Sequence, residues 1–240
     1  MYKKIRQNGK VFCLLEFEQN MLLSGTSENN ICLWDLNSMS ESFNFLGHDL
    51  WVTSLVKCND RIFSSASNDC TIRIWDYYQR TIINIIHAHE SSILTMIKLK
   101  NGNLCSAGDD NMIKIWDWEN SKCLYEIPGS SKMIRCLCQL EDETLLSGSD
   151  DNIIKIWKNY ELDSELKGHE GKIRTLCKID DKYFASGSFD NSIKIWDINN
   201  LNCIQTLNEH NSTIISIIKL EDNSLVSCSE DKTIKIWRKG

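Results

Sequence analysis

Gly47-His48-Asp49-Leu50-Trp51-Val52-Thr53-Ser54-Leu55 leads to Arg61-Ile62-Phe63-Ser64-Ser65-Ala66-Ser67-Asn68-Asp69 and then to Thr71-Ile72-Arg73-Ile74-Trp75-Asp76. Short apolar runs broken by polar turns roughly every 8–12 residues predict antiparallel strands rather than helices. The strands, named a to d, are expected near Val52–Lys57, Arg61–Ala66, Thr71–Trp75 and Thr81–Ile86. The same stretch recurs along the chain. Trp34, Trp75, Trp116, Trp157, Trp196 and Trp237 are separated by 41, 41, 41, 39 and 41 residues. A fixed period of that size marks one supersecondary unit, copied and stacked.

Strand c repeats an alternating branched pair: Ile31/Leu33, Ile72/Ile74, Ile113/Ile115, Ile154/Ile156, Ile193/Ile195 and Ile234/Ile236. The tryptophan falls on the opposite face, so the strand is expected to be covered on both sides. Strand a repeats Val11/Leu14, Val52/Leu55, Ile93/Met96, Ile134/Leu137, Ile173/Leu176 and Ile214/Ile217. Four-stranded sheets packed face to face around an axis make a β-propeller. The expectation is therefore an all-β, six-bladed propeller of four-stranded antiparallel sheets, a single domain over residues 1–240. Tyr2-Lys3-Lys4-Ile5-Arg6 sits where a strand d belongs before the first copy. It is expected to complete the sixth sheet and close the ring, because an open stack would expose apolar surface.

The net charge of −6 disfavours a nucleic-acid binder, which presents a basic face. Eleven cysteines with no secretory leader point to buried thiols in a reducing compartment: the cytoplasm, or the nucleus as a second location. No apolar run reaches the length of a membrane span.

The Trp-Asp pair at Trp34-Asp35, Trp75-Asp76, Trp116-Asp117 and Trp196-Asp197 joins a Gly-His pair at Gly47-His48 and Gly168-His169, with Ala88-His89 and Glu209-His210 as variants. In these four His-bearing copies His and Trp lie 27 residues apart. On these motifs the whole chain resembles the WD-repeat β-propeller family. The resemblance implies a buried structural tetrad in each copy: His48/Ser65/Asp69/Trp75, His89/Ser106/Asp110/Trp116, His169/Ser186/Asp190/Trp196 and His210/Ser227/Asp231/Trp237. A buried indole N–H needs an acceptor, and a Ser–His–Asp relay supplies one. Two copies depart. The first has Gln7 and Glu28 with Ser24 and Trp34; the fourth has Ser130 with Ser147, Asp151 and Trp157, Lys158 in place of Asp, and two residues fewer before Gly168. A tighter c–d hairpin is expected there.

A Ser, His and Asp in one repeat also invite a catalytic reading, but a nucleophile is needed once, beside an oxyanion hole. Recurrence tied to a core tryptophan makes the set structural, so no catalytic residue is assigned. Cys136 and Cys138 share a strand face without the further ligands zinc needs, and His89 of the His87/His89 pair belongs to a tetrad. No metal or cofactor is expected. The recurring Arg73, Lys114, Lys155, Lys194 and Lys235 read as aliphatic stems covering the sheets, with solvated heads.

Specificity must then lie where copies differ. The resemblance implies a partner on the top face, which carries the d–a and b–c loops. The exposed positions three and five residues after the His slot are Lys10, Phe12, Trp51, Thr53, Ser92, Leu94, Met133, Arg135, Lys172, Arg174, Thr213 and Ile215; those before the turn acid are Ser27, Asn68, Asp109, Asp150, Phe189 and Glu230. Aromatic and arginine side chains in such places make interface hot spots. Lys10, Phe12, Trp51, Leu94, Met133, Arg135, Lys172, Arg174, Phe189 and Ile215 are the candidate protein-binding residues. Against this, Arg135 and Arg174 could pair with Asp150 and Asp109, and Leu94 and Ile215 could simply line the channel. Trp51, which no periodic packing demand explains, is the leading contact; Trp118 reads as packing at the end of a strand c. The function expected is a non-catalytic scaffold or adaptor, a monomeric propeller within a larger assembly, binding a protein or peptide and neither nucleic acid nor membrane. The alternative is a module for acidic or phosphorylated segments in a signalling or ubiquitin-ligase assembly. A channel-based enzyme or small-ligand binder ranks lower.

Overall fold

The computed structural model describes residues 5–238. Strands a run over Val11–Glu18, Val52–Lys57, Ile93–Lys98, Ile134–Gln139, Ile173–Lys178 and Ile214–Lys219. Strands b run over Met21–Thr26, Ile62–Ser67, Leu104–Gly108, Leu145–Ser149, Tyr183–Ser188 and Leu225–Ser229. Strands c are Ile31–Asp35, Thr71–Asp76, Met112–Asp117, Ile154–Lys158, Ile193–Asp197 and Ile234–Trp237. Strands d are Ser40–Phe45, Thr81–His87, Lys122–Pro128, Glu161–Leu166 and Asn202–Leu207. Each copy forms one sheet in the order a-b-c-d, the propeller blade expected from the repeat. The sixth has strands a, b and c among the described residues. The closing strand expected over Tyr2–Arg6 lies mostly outside the described residues, and Ile5 and Arg6 have irregular backbone.

The chain divides into two compact units, residues 1–110 with 114–126 and residues 111–113 with 127–240. In the first, Phe17, Leu23, Phe45, Val52, Leu55, Phe63 and Trp75 fill the seam between the first two sheets. Ile72, Ile74, Ile93, Met96, Leu104 and Trp116 fill the next seam. Strand c is thus covered on both faces: its Ile pair meets the following sheet and its Trp the preceding one. The second unit repeats this. Ile154, Ile156, Ile173, Leu176 and Trp196 share one cluster, and Ile193, Ile195, Ile214 and Ile217 the next. Each fully buried aliphatic side chain contributes about 1.5–3 kcal/mol, so the seams hold each unit together.

Two expected core pairs are not buried. Val11 and Leu14 in the first unit are 46% and 60% exposed, and Ile234 and Ile236 in the second are 73% and 58% exposed. The pattern is the core pattern, but no sheet of their own unit packs on that face. The recurring basic residues also need correction. Arg73 and Lys114 are buried, and their heads lie beside Asp69 at 3.8 Å and Glu126 at 3.1 Å rather than in open solvent.

The acid of the Trp-Asp pair has a local task. Asp76 Oδ1 accepts from the Tyr78 and Gln79 amides, and Asp197 Oδ1 from those of Asn199 and Asn200, capping the c–d turn. Where Lys158 replaces it, the turn shrinks to Asn159-Tyr160, both with positive φ (50° and 65°). Two such residues make the type I′ hairpin turn that matches strand twist, so the expected tighter hairpin is present.

Candidate functional site

The four complete tetrads have the same geometry. Trp75 Nε1 donates to Ser65 Oγ at 2.8 Å, Ser65 lies 2.6 Å from His48 Nε2, and His48 Nδ1 lies 2.7 Å from Asp69. In the third copy Trp116 donates to Ser106 at 2.9 Å, Ser106 lies 2.7 Å from His89 Nε2, and His89 Nδ1 lies 2.7 Å from Asp110. In the fifth, the Trp196–Ser186, Ser186–His169 and His169–Asp190 distances are 2.7, 2.6 and 2.7 Å. In the sixth, the Trp237–Ser227, Ser227–His210 and His210–Asp231 distances are 2.9, 2.8 and 2.7 Å. Because the serine oxygen accepts from the indole, its own proton goes to Nε2, and Nδ1–H donates to the carboxylate.

The serine, histidine and aspartate side chains of the four tetrads are nearly all covered, as the resemblance implies. Ser65, Ser106, Ser186 and Ser227 are buried, as are His48, His89, His169 and His210. The side chains of Asp69, Asp110, Asp190 and Asp231, in the b–c turns, are only 6%, 8%, 14% and 8% exposed. Trp237 is half-buried, unlike Trp75, Trp116 and Trp196.

Burial pushes the His48 imidazole pKa below its usual value, partly offset by Asp69. Burial acts to raise the Asp69 carboxyl, but hydrogen bonds from His48 and Thr71 hold it well below the usual range; His169 and Ser192 do the same for Asp190. Hydrogen bonds from Thr233 and His210 hold Asp231 down likewise.

The departures are equally explicit. In the first copy Gln7 takes the His place: Ser24 donates to Gln7 Oε1 at 2.8 Å and receives the Trp34 indole at 2.8 Å. In the fourth, Trp157 still donates to Ser147 at 2.9 Å, but Ser130 lies 2.7 Å from Asp151 and 2.8 Å from Ser149 instead. A serine is too short to bridge as an imidazole does, so the relay splits into separate pieces.

Thiol chemistry follows burial. It pushes Cys58 and Cys177 up to about 11 and raises Cys136 and Cys138, so none of these is a ready thiolate. Among the described residues, no group of three or more His, Cys, Asp or Glu is placed to hold a metal ion.

A β-bulge positions the variable side chains. In every sheet the a–b register slips by one residue near the start of strand a. The residues left over are Phe12, Thr53, Leu94, Arg135, Arg174 and Ile215. A bulge frees one side chain from the pleat and re-aims it. The two other variable positions are tied together by a backbone bond: Ser27, Asn68, Asp109, Asp150, Phe189 and Glu230 donate their amides to the carbonyls of Lys10, Trp51, Ser92, Met133, Lys172 and Thr213, at 2.9–3.0 Å.

Within each unit some of these positions come together. In the first, the exposed rings of Phe12 and Trp51 stack at 5.2 Å and 21°. In the second, Arg135 grips the buried Asp150 through Nε and through Nη2 at 2.9 Å, and Lys172 Nζ reaches the same carboxylate at 2.8 Å. Burial works to raise the Asp150 pKa, but these two cations hold it below the usual range. The exposed Phe189 ring lies 5.7 Å from each cationic head. Met133 Sδ lies 4.0 Å from Arg135 Nη2. Among the described residues, Lys10, Leu94 and Ile215 make no ring or ion-pair contact with either group. Asp150 and Thr213, expected at the surface, are buried: Asp150 serves its two cations, and Thr213 is covered at the entry to its strand. The pairing of Arg135 with Asp150 is present; Arg174 makes no ion pair among the described residues. Trp118 donates its indole N–H to the Gly102 carbonyl at 3.1 Å, a packing role.

A cleft of about 490 Å³ lies at the opposite end of the fourth and fifth sheets, lined by Glu141, Asp142, Asp163 and Asp181 with Lys158, Ile198, Asn199 and Leu201. Its charges are largely internal, with Lys158 on Asp163 at 3.1 Å and Lys178 on Asp181 at 3.6 Å.

No curated protein matches the chain. The family model described as WD domain, G-beta repeat matches residues 39–76, 80–117, 121–158, 160–197 and 201–238, each match ending just past the strand c tryptophan. The stretch before the first match contains the copy in which Gln7 stands for the tetrad histidine. Together with the repeated sheets and the relay geometry, these five matches show that the chain belongs to the WD-domain, G-beta-repeat family.

Proposed function

We propose that this protein is a non-catalytic interaction scaffold that docks a protein or peptide on the ends of the sheets carrying the d–a and b–c loops. Interaction through such a platform is typical of WD-repeat propellers. The observation that carries the reading is the Phe12–Trp51 stack: two large rings left exposed at positions where no other copy has an aromatic residue. Paired aromatics of this kind supply much of the energy of an interface. Burial of the tetrad serines supports a non-catalytic role. Eleven free thiols support a reducing compartment, the cytoplasm or nucleus, and the acidic net charge supports a protein partner over nucleic acid. On this reading the chain acts as a monomeric propeller, off the membrane, within a larger assembly.

The test is affinity capture with the wild-type protein and Trp51→Ala, followed by titration of the captured partner. The substitution should weaken binding by on the order of 2 kcal/mol, roughly thirtyfold, with the melting temperature held. Unchanged affinity, or a large loss of stability, refutes the docking role of Trp51.

A second reading, recognition of acidic or phosphorylated segments as in signalling or ubiquitin-ligase assemblies, draws on Arg135, Lys172 and Arg174. Two of these cations already hold Asp150, which narrows what an acidic ligand could use.

A further inference from the structure

We infer that the fourth and fifth sheets carry a site for one carboxylate side chain of an extended peptide, with Arg174 as its open cation and Phe189 as its apolar wall. The inference rests on the docking reading and names the chemistry of the ligand. Arg174 is the bulge residue of the fifth strand a, so its side chain is freed from the sheet pleat. It is half-buried, and among the described residues it makes no hydrogen bond or ion pair. A guanidinium carries five donors, and leaving them unmatched in a partly dry setting is unfavourable. Burial and the like charge of Arg135 both push the Arg174 pKa down, while Glu230 and Asp150 act the other way. Neither carboxylate forms an ion pair with it.

Charge decides which anion fits. Arg135, Lys172 and Arg174 give three positive charges, and Asp150 and Glu230 two negative ones, leaving one positive charge uncompensated. A carboxylate balances this. A phosphorylated residue carries about −1.5 to −2 and would overshoot beside two resident carboxylates. The planar fork of Arg174 also suits a carboxylate in bidentate fashion. Phe189 is exposed and flanked by the Arg135 and Lys172 heads, so it offers a ring face to an apolar residue next to the acid in the ligand.

The experiment uses the full chain and oriented peptide libraries with a fixed central Glu, Gln or phosphoserine and random flanks. The Glu library should bind at least tenfold tighter than the Gln library, with an apolar neighbour selected, and phosphoserine should bind no tighter than Glu. Arg174→Gln should abolish the Glu preference, so that the Glu and Gln libraries bind alike. Glu230→Gln, at an exposed position, should strengthen Glu-library binding several-fold and serves as the arm that does not depend on the Arg174 variant folding. Absence of a Glu preference in wild type, a preference that survives Arg174→Gln, no response to Glu230→Gln, or selection of phosphoserine over Glu each overturns the inference. If Trp51→Ala weakens partner capture while the carboxylate preference is missing, only this site fails. If the preference stands and Trp51→Ala is silent, only the Phe12–Trp51 docking reading fails.

Discussion

Replacing Ser186 by alanine should cost clearly more than the same change at Ser147, although both serines are buried on strand b at equivalent positions. Ser186 Oγ receives the Trp196 indole at 2.7 Å and lies 2.6 Å from His169 Nε2. Its removal strands two buried polar groups, each worth about 1–3 kcal/mol when left unmatched, for a loss of about 2–6 kcal/mol. Ser147 receives only the Trp157 indole, at 2.9 Å, because Ser130 does not reach it. Its removal strands one group, about 1–3 kcal/mol. The van der Waals change is the same, so the difference isolates the imidazole arm of the relay. In a chain of 240 residues, a difference of about 2 kcal/mol places Ser186→Ala about 4–8 °C below Ser147→Ala in melting temperature. Urea unfolding of both variants checks the free energies, and indole N–H exchange at Trp196 and Trp157 checks where the loss falls. Equal destabilisation, or a larger loss at Ser147, would falsify the idea that the histidine relay adds stability beyond the Trp–Ser bond.

Stability should fall as the solution is acidified. The His48 pKa is lowered by folding, so its contribution is complete above about 6.5 and drains as pH drops beneath that value. The carboxyls of Asp69 and Asp190 are also lowered, so their share is complete above about 4 and is lost further down; a urea midpoint that rises between pH 7 and pH 5 contradicts the His48 part. Gly108→Ala should be severe, because the new Cβ would stand 2.0 Å from the Ser92 carbonyl oxygen, whereas Gly102→Ala meets open space and suffers only the strain of φ +91°, about 1 kcal/mol. Thermal melts rank the two, and a milder effect at Gly108 counts against the close approach. The first and fourth sheets, whose relays are incomplete, should exchange their amide protons fastest under native conditions, and equal or better protection there would remove the stabilising role assigned to the histidines.

Strand positions were legible because the chain states them several times over: the expected strands of the second copy match Val52–Lys57, Ile62–Ser67, Thr71–Asp76 and Thr81–His87 to within a residue. The relays were legible through the family resemblance, because separations of 17, 21 and 10 residues between His and Ser, His and Asp, and Ser and Trp recur unchanged from Ser65 and Asp69 to Ser106 and Asp110 and on to Ser227 and Asp231. What sequence left open depends on neighbours that a periodic pattern does not name. Nothing along strand a signals the bulge that sets Phe12, Arg135 and Arg174 free, since a one-residue slip is a property of the pairing, not of either strand. The pairing of Arg135 with Asp150 could be weighed from sequence, but not that Lys172 of the next copy joins it on the same buried carboxylate. Val11, Leu14, Ile234 and Ile236 carry core chemistry on faces that no sheet of their own unit covers, because burial depends on what packs against a face as well as on its residues. The task of Asp76 and its equivalents was hidden in the Trp-Asp pair itself, where the acid caps a turn.

Each relay is wired entirely within its own copy: the histidine at the entrance of a sheet, the serine, acid and tryptophan inside it. A fault therefore stays where it arises. Gln7 and Ser130 show the outcome, altered wiring in the first and fourth copies beside intact circuits in the other four. Such insulation gives the molecule tolerance. One blade can drift in its fastenings or try a new side chain on its bulge without unpicking the rest, which is how a strictly repetitive chassis can host an unrepetitive surface.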